Sequence, residues 1–143
     1  MKDTIILDKI VKSVDGGSVH YDLEFKSGLT LISGKSGVGR TTLYNMFADL
    51  AVIDDKIIAL NYRCRKKWID DTLLHEKLSG KLIVIDNADV ILTMEHRNAI
   101  KFDFDNQYII FGRNTKKIMR GTISLADMIR VDDKITLDYF MLH

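Results

Sequence analysis

Apolar positions along the chain follow two periods. Over residues 5–14 and 19–25 β-branched residues recur at strand spacing, and Asp15-Gly16-Gly17-Ser18 separates the two stretches, so they predict an antiparallel hairpin. A turn at Ser27-Gly28 leads into a strand over 29–33. Beyond a glycine-rich stretch, Leu43, Met46, Phe47 and Leu50 fall on one helical face, which predicts a helix from about Thr41 to Leu50 packed on a sheet. Residues 56–60 form the next strand. Residues 68–78, with Ile69, Leu73 and Leu74 at helical spacing, form a second helix that Ser79-Gly80 ends. Residues 81–85 are apolar throughout after Lys81, as expected of a strand buried on both faces. A helical piece over about 90–100 leads to a strand over 108–111. Residues 128–131 and 135–140 flank Asp132-Asp133 and predict a closing hairpin.

Strands alternating with helices at these lengths predict an α/β domain with a mainly parallel sheet, to which the N-terminal hairpin adds an antiparallel edge. Ligands in such sheets bind at the carboxyl ends of the strands. At 143 residues, without proline, linker or repeat, the chain is expected to be a single domain, 1–143. A net charge of +1 excludes a global pull toward nucleic acid or an anionic membrane, so any such affinity must be local. The single cysteine, Cys64, excludes an internal disulfide and lacks a nearby metal-ligand partner, and the four histidines show no zinc spacing. No stretch approaches the roughly 20 apolar residues that cross a bilayer, and a cytoplasmic protein without membrane partners is expected.

The chemistry concentrates between the first core strand and its helix. Gly34-Lys35-Ser36-Gly37-Val38-Gly39-Arg40-Thr41-Thr42 matches the phosphate-binding pattern G-x-x-x-x-G-K-[ST] except that Arg40 replaces lysine. Such a loop lets backbone N–H groups converge on phosphate oxygens, aided by the positive end of the helix. Thr41 would place its hydroxyl on magnesium. Arginine is a larger planar fork than lysine and cannot occupy the same space, so binding is expected to survive better than γ-phosphate positioning. Four apolar residues closed by Asp86 have the form of a Walker B strand, whose aspartate holds the magnesium ion. The position after it, where ATPases commonly carry a water-activating glutamate, is Asn87, an amide that cannot accept a proton at neutral pH.

Together these residues resemble the P-loop NTPase superfamily, in its ABC-type and AAA-like ATPase branch, with degenerate Walker A and Walker B positions. The hairpin followed by Asp22-Leu23-Glu24-Phe25 and 28–34 is similar to the start of ABC-type and DNA-repair ATPase heads, and Asp86-Asn87-Ala88-Asp89 is similar to the family's D-E-A-D form. Gly112-Arg113-Asn114 looks like a sensor position that watches the γ-phosphate. The resemblance covers roughly residues 10–114. It implies a P-loop NTPase-like three-layer sandwich, ATP or another nucleoside triphosphate with Mg2+ as cofactors, phosphate contacts from 34–42 and Arg113, magnesium held by Thr41 and Asp86, and Asn87, Asp89 and Asn114 as the candidates for any catalytic role. No ABC signature helix or lid is found. The arginine in the loop also resembles scaffold-protein guanylate-kinase-like domains that have lost kinase activity, a likeness confined to the loop.

The function expected is nucleotide binding with weak or absent hydrolysis, exerted through a protein partner and with self-association consistent with that branch. Two alternatives stand beside it: an active small ATPase or kinase with Asp89 as base, and a ligand-free interaction or inhibitor module, such as one made by a mobile element. A second candidate surface is Arg63, Arg65, Lys66, Lys67 and Trp68, which could follow a phosphate backbone with a stacking side chain. The preferred reading of that run is a solvated loop with Trp68 folded into the core.

Overall fold

In a computed structural model, residues 3–33, 39–112, 118, 120–121 and 123–142 are described. The strands are β1 (Lys9–Val14), β2 (Val19–Glu24), β3 (Leu29–Ser33), β4 (Ile57–Leu60), β5 (Leu82–Ile85), β6 (Gln107–Phe111), β7 (Ser124–Val131) and β8 (Lys134–Leu142). The helices are α1 (Arg40–Ile53), α2 (Lys66–Asp70), α3 (Ala88–Ile91) and α4 (Met94–Lys101). All eight strands join one mixed sheet in the order β1-β2-β8-β7-β3-β6-β5-β4. The two hairpins, β1 with β2 and β7 with β8, are antiparallel, and the remaining neighbours pair in parallel.

Alternation of side chains divides the interior into two clusters, one on each face. Ile32, Leu82, Val84, Ile109 and Phe111 join α1 residues Leu43, Tyr44 and Phe47 on the first face. Leu29, Leu31, Ile83, Ile85, Tyr108 and Ile110 join Ile69, Leu73, Leu92 and Ile100 on the second. The fully buried Leu43 and Phe47 each remove about 2–3 kcal/mol worth of apolar surface from water, which is what seats α1 on the sheet. Strand β2 is buried on one side only, its pattern alternating Val19, Tyr21 and Leu23 inward with His20 and Glu24 outward. Tyr21, Leu23 and Ile135 belong to the α1 cluster, so the hairpin half of the sheet closes over the same helix as the parallel half.

The elements depart from the sequence expectations at several boundaries. The first strand begins at Lys9 rather than Ile5, because the Gln107 side chain takes the backbone bonds of the preceding segment: its Oε1 accepts from the N–H groups of Ile6 (2.7 Å) and Leu7 (2.8 Å), and its Nε2 donates to the Leu7 carbonyl (2.8 Å). The helix expected to Leu78 widens after Asp70 into a π turn over Asp71–His75, closed by Glu76 N–H donating to the Asp71 carbonyl at 2.8 Å. The single helix expected over 90–100 is two helices, broken where Leu92 and Thr93 are extended. Thr93 caps α4: its side chain accepts from His96 N–H at 3.2 Å, while His96 Nδ1 accepts from Thr93 N–H at 3.0 Å. The first strand of the closing hairpin begins at Ser124 rather than Met128. The hairpin lies inside the sheet, with β8 parallel to β2 and β7 parallel to β3.

Candidate functional site

The carboxyl ends of β3, β5 and β6 open on one edge of the sheet, with β6 lying between the other two. Strand β3 ends at Ser33, and the helix that follows the glycine-rich stretch starts on Gly39, whose φ of 99° lies in the left-handed region. Only glycine fits there. A Cβ at this position would lie 2.7 Å from Tyr21 Oη and 2.9 Å from Ile135 Cδ1. Tyr21 Oη instead donates to the Gly39 carbonyl at 2.8 Å. Among the described residues no side chain caps α1, and its first turn carries no acidic residue, so the positive end of a 14-residue helix is left uncompensated by the helix itself. Arg40, Thr41 and Thr42 form that first turn, with Thr41 and Thr42 exposed. Residues Gly34, Lys35, Ser36, Gly37 and Val38, and likewise Arg113 and Asn114, lie outside the described residues.

At the end of β5, Asp86 is held by its own N–H donating to the Leu60 carbonyl at 2.9 Å, and its Oδ1 accepts from Asn87 N–H at 2.8 Å. Asn87 is left-handed, with φ 55° and ψ 40°, a conformation that asparagine tolerates better than most L-residues. Its Oδ1 is buried without a hydrogen-bond partner. Backbone strain and an orphaned amide oxygen thus coincide on one residue of the rim, which is the kind of coincidence that marks functional positions. Asp89 lies over the end of β6, its carboxylate oxygens 3.4 and 3.6 Å from where a Cβ on Gly112 would stand. Tyr44, one turn along α1 from Thr41, has its hydroxyl pushed well above the ordinary tyrosine range by burial, with Cys64 and Asp86 adding to the shift.

Asp127 joins this rim unforeseen from the sequence. It lies on β7 beside Ser33 in the parallel register, and Ser33 Oγ donates to its Oδ1 at 2.6 Å, closing the rim on the side away from β6. Its signal was an acidic residue interrupting the apolar run from Ile123 to Val131, which the expected strand boundary at Met128 left outside the sheet.

The basic run is not organised as expected. Trp68 is 45% exposed rather than folded into the core, and Tyr62 is 57% exposed beside it in sequence. The turn that carries Tyr62 is fixed from within: Arg63 N–H donates to Asn61 Oδ1 (3.0 Å), Cys64 N–H to the Asn61 carbonyl (3.0 Å), and Asn61 N–H to Cys64 Sγ (3.4 Å). Cys64 packs against the second-face cluster, so it anchors this turn. His96, which the sequence left without a role, joins two helices: its Nε2 lies 2.7 Å from Asp70 Oδ1. Among the described residues no three His, Cys, Asp or Glu side chains gather as a metal site, and no helix is long and apolar enough to cross a membrane.

No family model matches the chain, and no curated protein sequence matches it. Among solved structures, a chain of a "Model of ribosome-bound archaeal Pelota and ABCE1" is similar at 13% identity and a TM-score of 0.48, over 96% of this chain and 35% of that one. This chain therefore spans about a third of the length of that one.

Proposed function

We propose that this domain binds a nucleoside triphosphate, ATP foremost, at the rim formed by β3, α1 and β5, hydrolyses it weakly or not at all, and acts through a partner protein. The observation that supports this most is the uncapped start of α1 on left-handed Gly39, directly after β3 and on the same sheet edge as Asp86. The threonine hydroxyl in the first turn and the carboxylate at the end of β5 are oxygen donors, the kind a magnesium ion takes alongside water and phosphate oxygens. Thr41 and Asp86 would hold the ion, which would neutralise phosphate charge; residues 34–42 and Arg113 would hold the phosphates. On this reading the chain belongs with the P-loop NTPases as a minimal three-layer sandwich with a mainly parallel sheet.

Weak hydrolysis follows from position 87. Its left-handed backbone suits asparagine, and an amide orients water without taking its proton. Calorimetry and thermal shift with ATP and magnesium test the proposal. Saturable heat and a raised Tm, about 2.7 kcal/mol of added stability when ligand reaches a hundred times Kd, are expected. No heat and no shift at millimolar nucleotide would overturn it. The double variant Arg40→Lys with Asn87→Glu is expected to raise turnover over the wild-type chain.

A further inference from the structure

Tyr62, Arg63, Arg65, Lys66, Lys67 and Trp68 lie together on the turn after β4 and the first turn of α2, all exposed. Two of these side chains are large aromatics left in solvent, and four are cations. Lys67 is neutralised by Asp71, at 2.9 Å. Arg63, Arg65 and Lys66 make no ion pair with the described residues, and the Arg63 guanidinium rests against the Tyr62 ring, 5.5 Å from its centroid, with Nε donating to Tyr62 Oη at 3.1 Å. Since the whole chain carries a net charge of only +1, this concentration of positive charge is local. The Asn61 and Cys64 contacts hold the turn that carries Tyr62, and α2 holds the backbone of Trp68, whose N–H donates to the Arg65 carbonyl at 3.0 Å, so the backbone of both aromatics is ordered before binding.

We propose that this turn is a binding surface for single-stranded nucleic acid, with Trp68 and Tyr62 as stacking platforms and Arg63, Arg65 and Lys66 on the phosphates. Cations interleaved with exposed aromatic faces match a strand whose bases are free to stack, and each base so held contributes enough to be read by substitution. A duplex keeps its bases stacked inside and offers only its phosphates to such a surface, leaving Trp68 and Tyr62 without bases to stack on. The proposal does not depend on nucleotide binding at the rim, and its test contains neither ATP nor magnesium.

Trp68 is the only tryptophan, so tryptophan emission, excited at the red edge where the five tyrosines do not absorb, reports on this surface. Titration with an oligouridylate of about fifteen nucleotides at roughly 50 mM salt is expected to quench it saturably. Affinity should fall with salt at a log–log slope of about −2, as three phosphate contacts on a single strand require. By anisotropy of a labelled oligonucleotide, Arg65→Glu with Lys66→Glu should weaken binding at least tenfold and Trp68→Ala about tenfold, whereas Lys9→Glu with Lys12→Glu on the distant edge strand should change it less than twofold. Three results would overturn the proposal. One is no quenching and no anisotropy change at about 100 μM protein. A second is equal loss from the edge-strand charge reversal, which would mean diffuse attraction. The third is equally tight binding of polyglutamate or of a duplex of the same length, which would assign the surface to an acidic protein or to phosphates alone. The salt and competitor arms use the unaltered chain, so they stand even where a variant fails to fold.

Discussion

Tyr21 Oη donates a 2.8 Å hydrogen bond to the carbonyl of Gly39, tying the middle of β2 to the residue on which α1 begins. The bond crosses from the hairpin half of the sheet to the loop side of the parallel half, and it fixes the start of the helix from outside the helix.

Substituting either partner should therefore loosen the rim. Gly39→Ala places a Cβ in a left-handed backbone and against Tyr21 and Ile135, and is expected to cost about 2–3 kcal/mol, a fall in Tm of roughly 5–10 °C. Tyr21→Phe removes only the hydrogen bond and should cost about 1 kcal/mol. Thermal denaturation checks both. If Gly39→Ala matched the wild-type Tm, the helix start would not be held as described.

Asn87 gives a second, conformational prediction. Asn87→Gly should be close to neutral because glycine accepts a φ of 55°, whereas Asn87→Ala and Asn87→Glu should each lose about 1 kcal/mol. Urea denaturation of the three variants reads the order directly. A stable Asn87→Glu would remove the backbone argument for an inert amide at this position.

Alkaline pH should unfold the chain through its tyrosines. Burial pushes Tyr139 up to about 12, with Glu24 adding, and burial likewise raises Tyr44 and Tyr108, the latter with help from Asp103. A phenol whose folded pKa lies above its unfolded value of about 10 contributes stability in full below pH 10, and loses it as pH rises through the folded pKa. Stability is thus expected to be flat in this respect below pH 10 and to fall from there to pH 12 and beyond. Phenolate absorbance should rise with the unfolding transition for these three side chains. Tyr108→Phe, which gives up the 2.6 Å bond to Asp103 Oδ2, should lower stability at neutral pH by about 1–2 kcal/mol and make the alkaline fall shallower.

The break between α3 and α4 depends on a short motif. Thr93→Ala should cost about 1 kcal/mol through the lost cap. His96→Ala should cost more, about 2–3 kcal/mol, because it also strips Asp70 of its partner. His96→Gln is expected to recover part of this, since glutamine can complete the capping box. Hydrogen exchange should show faster α2 amides with His96→Ala than with Thr93→Ala.

These elements show what a single sequence discloses and what it withholds. Both hairpins were readable from their turns, and β5 from its unbroken apolar run, because those signals are local. The place of the second hairpin was not, since nothing in residues 124–142 names β2 and β3 as neighbours a hundred residues away. The helix break was present as Thr93 and His96 three apart, a capping box in which histidine stands for the usual glutamate and so hides from the common pattern. Asp127 went unseen because a carboxylate within an apolar strand argues locally against the strand and makes sense only beside Ser33. Trp68 is expected in the interior because the chain's net charge is near zero and the basic run is short, and neither property reports which face of α2 a side chain takes, which is why its 45% exposure was not legible.

The insertion of β7 and β8 between β2 and β3 bears on how the molecule comes into being. During translation the first three strands emerge long before the pair that must separate them, so for most of synthesis β2 has no route to the parallel half and β3 keeps an unfilled side. A late wedge of this kind makes completion of the sheet one of the last events in folding and a slow one, because the ends it joins are far apart along the chain. Until residues 124–142 have emerged, Ser33 has no Asp127 to bond, and the rim stays open on that side.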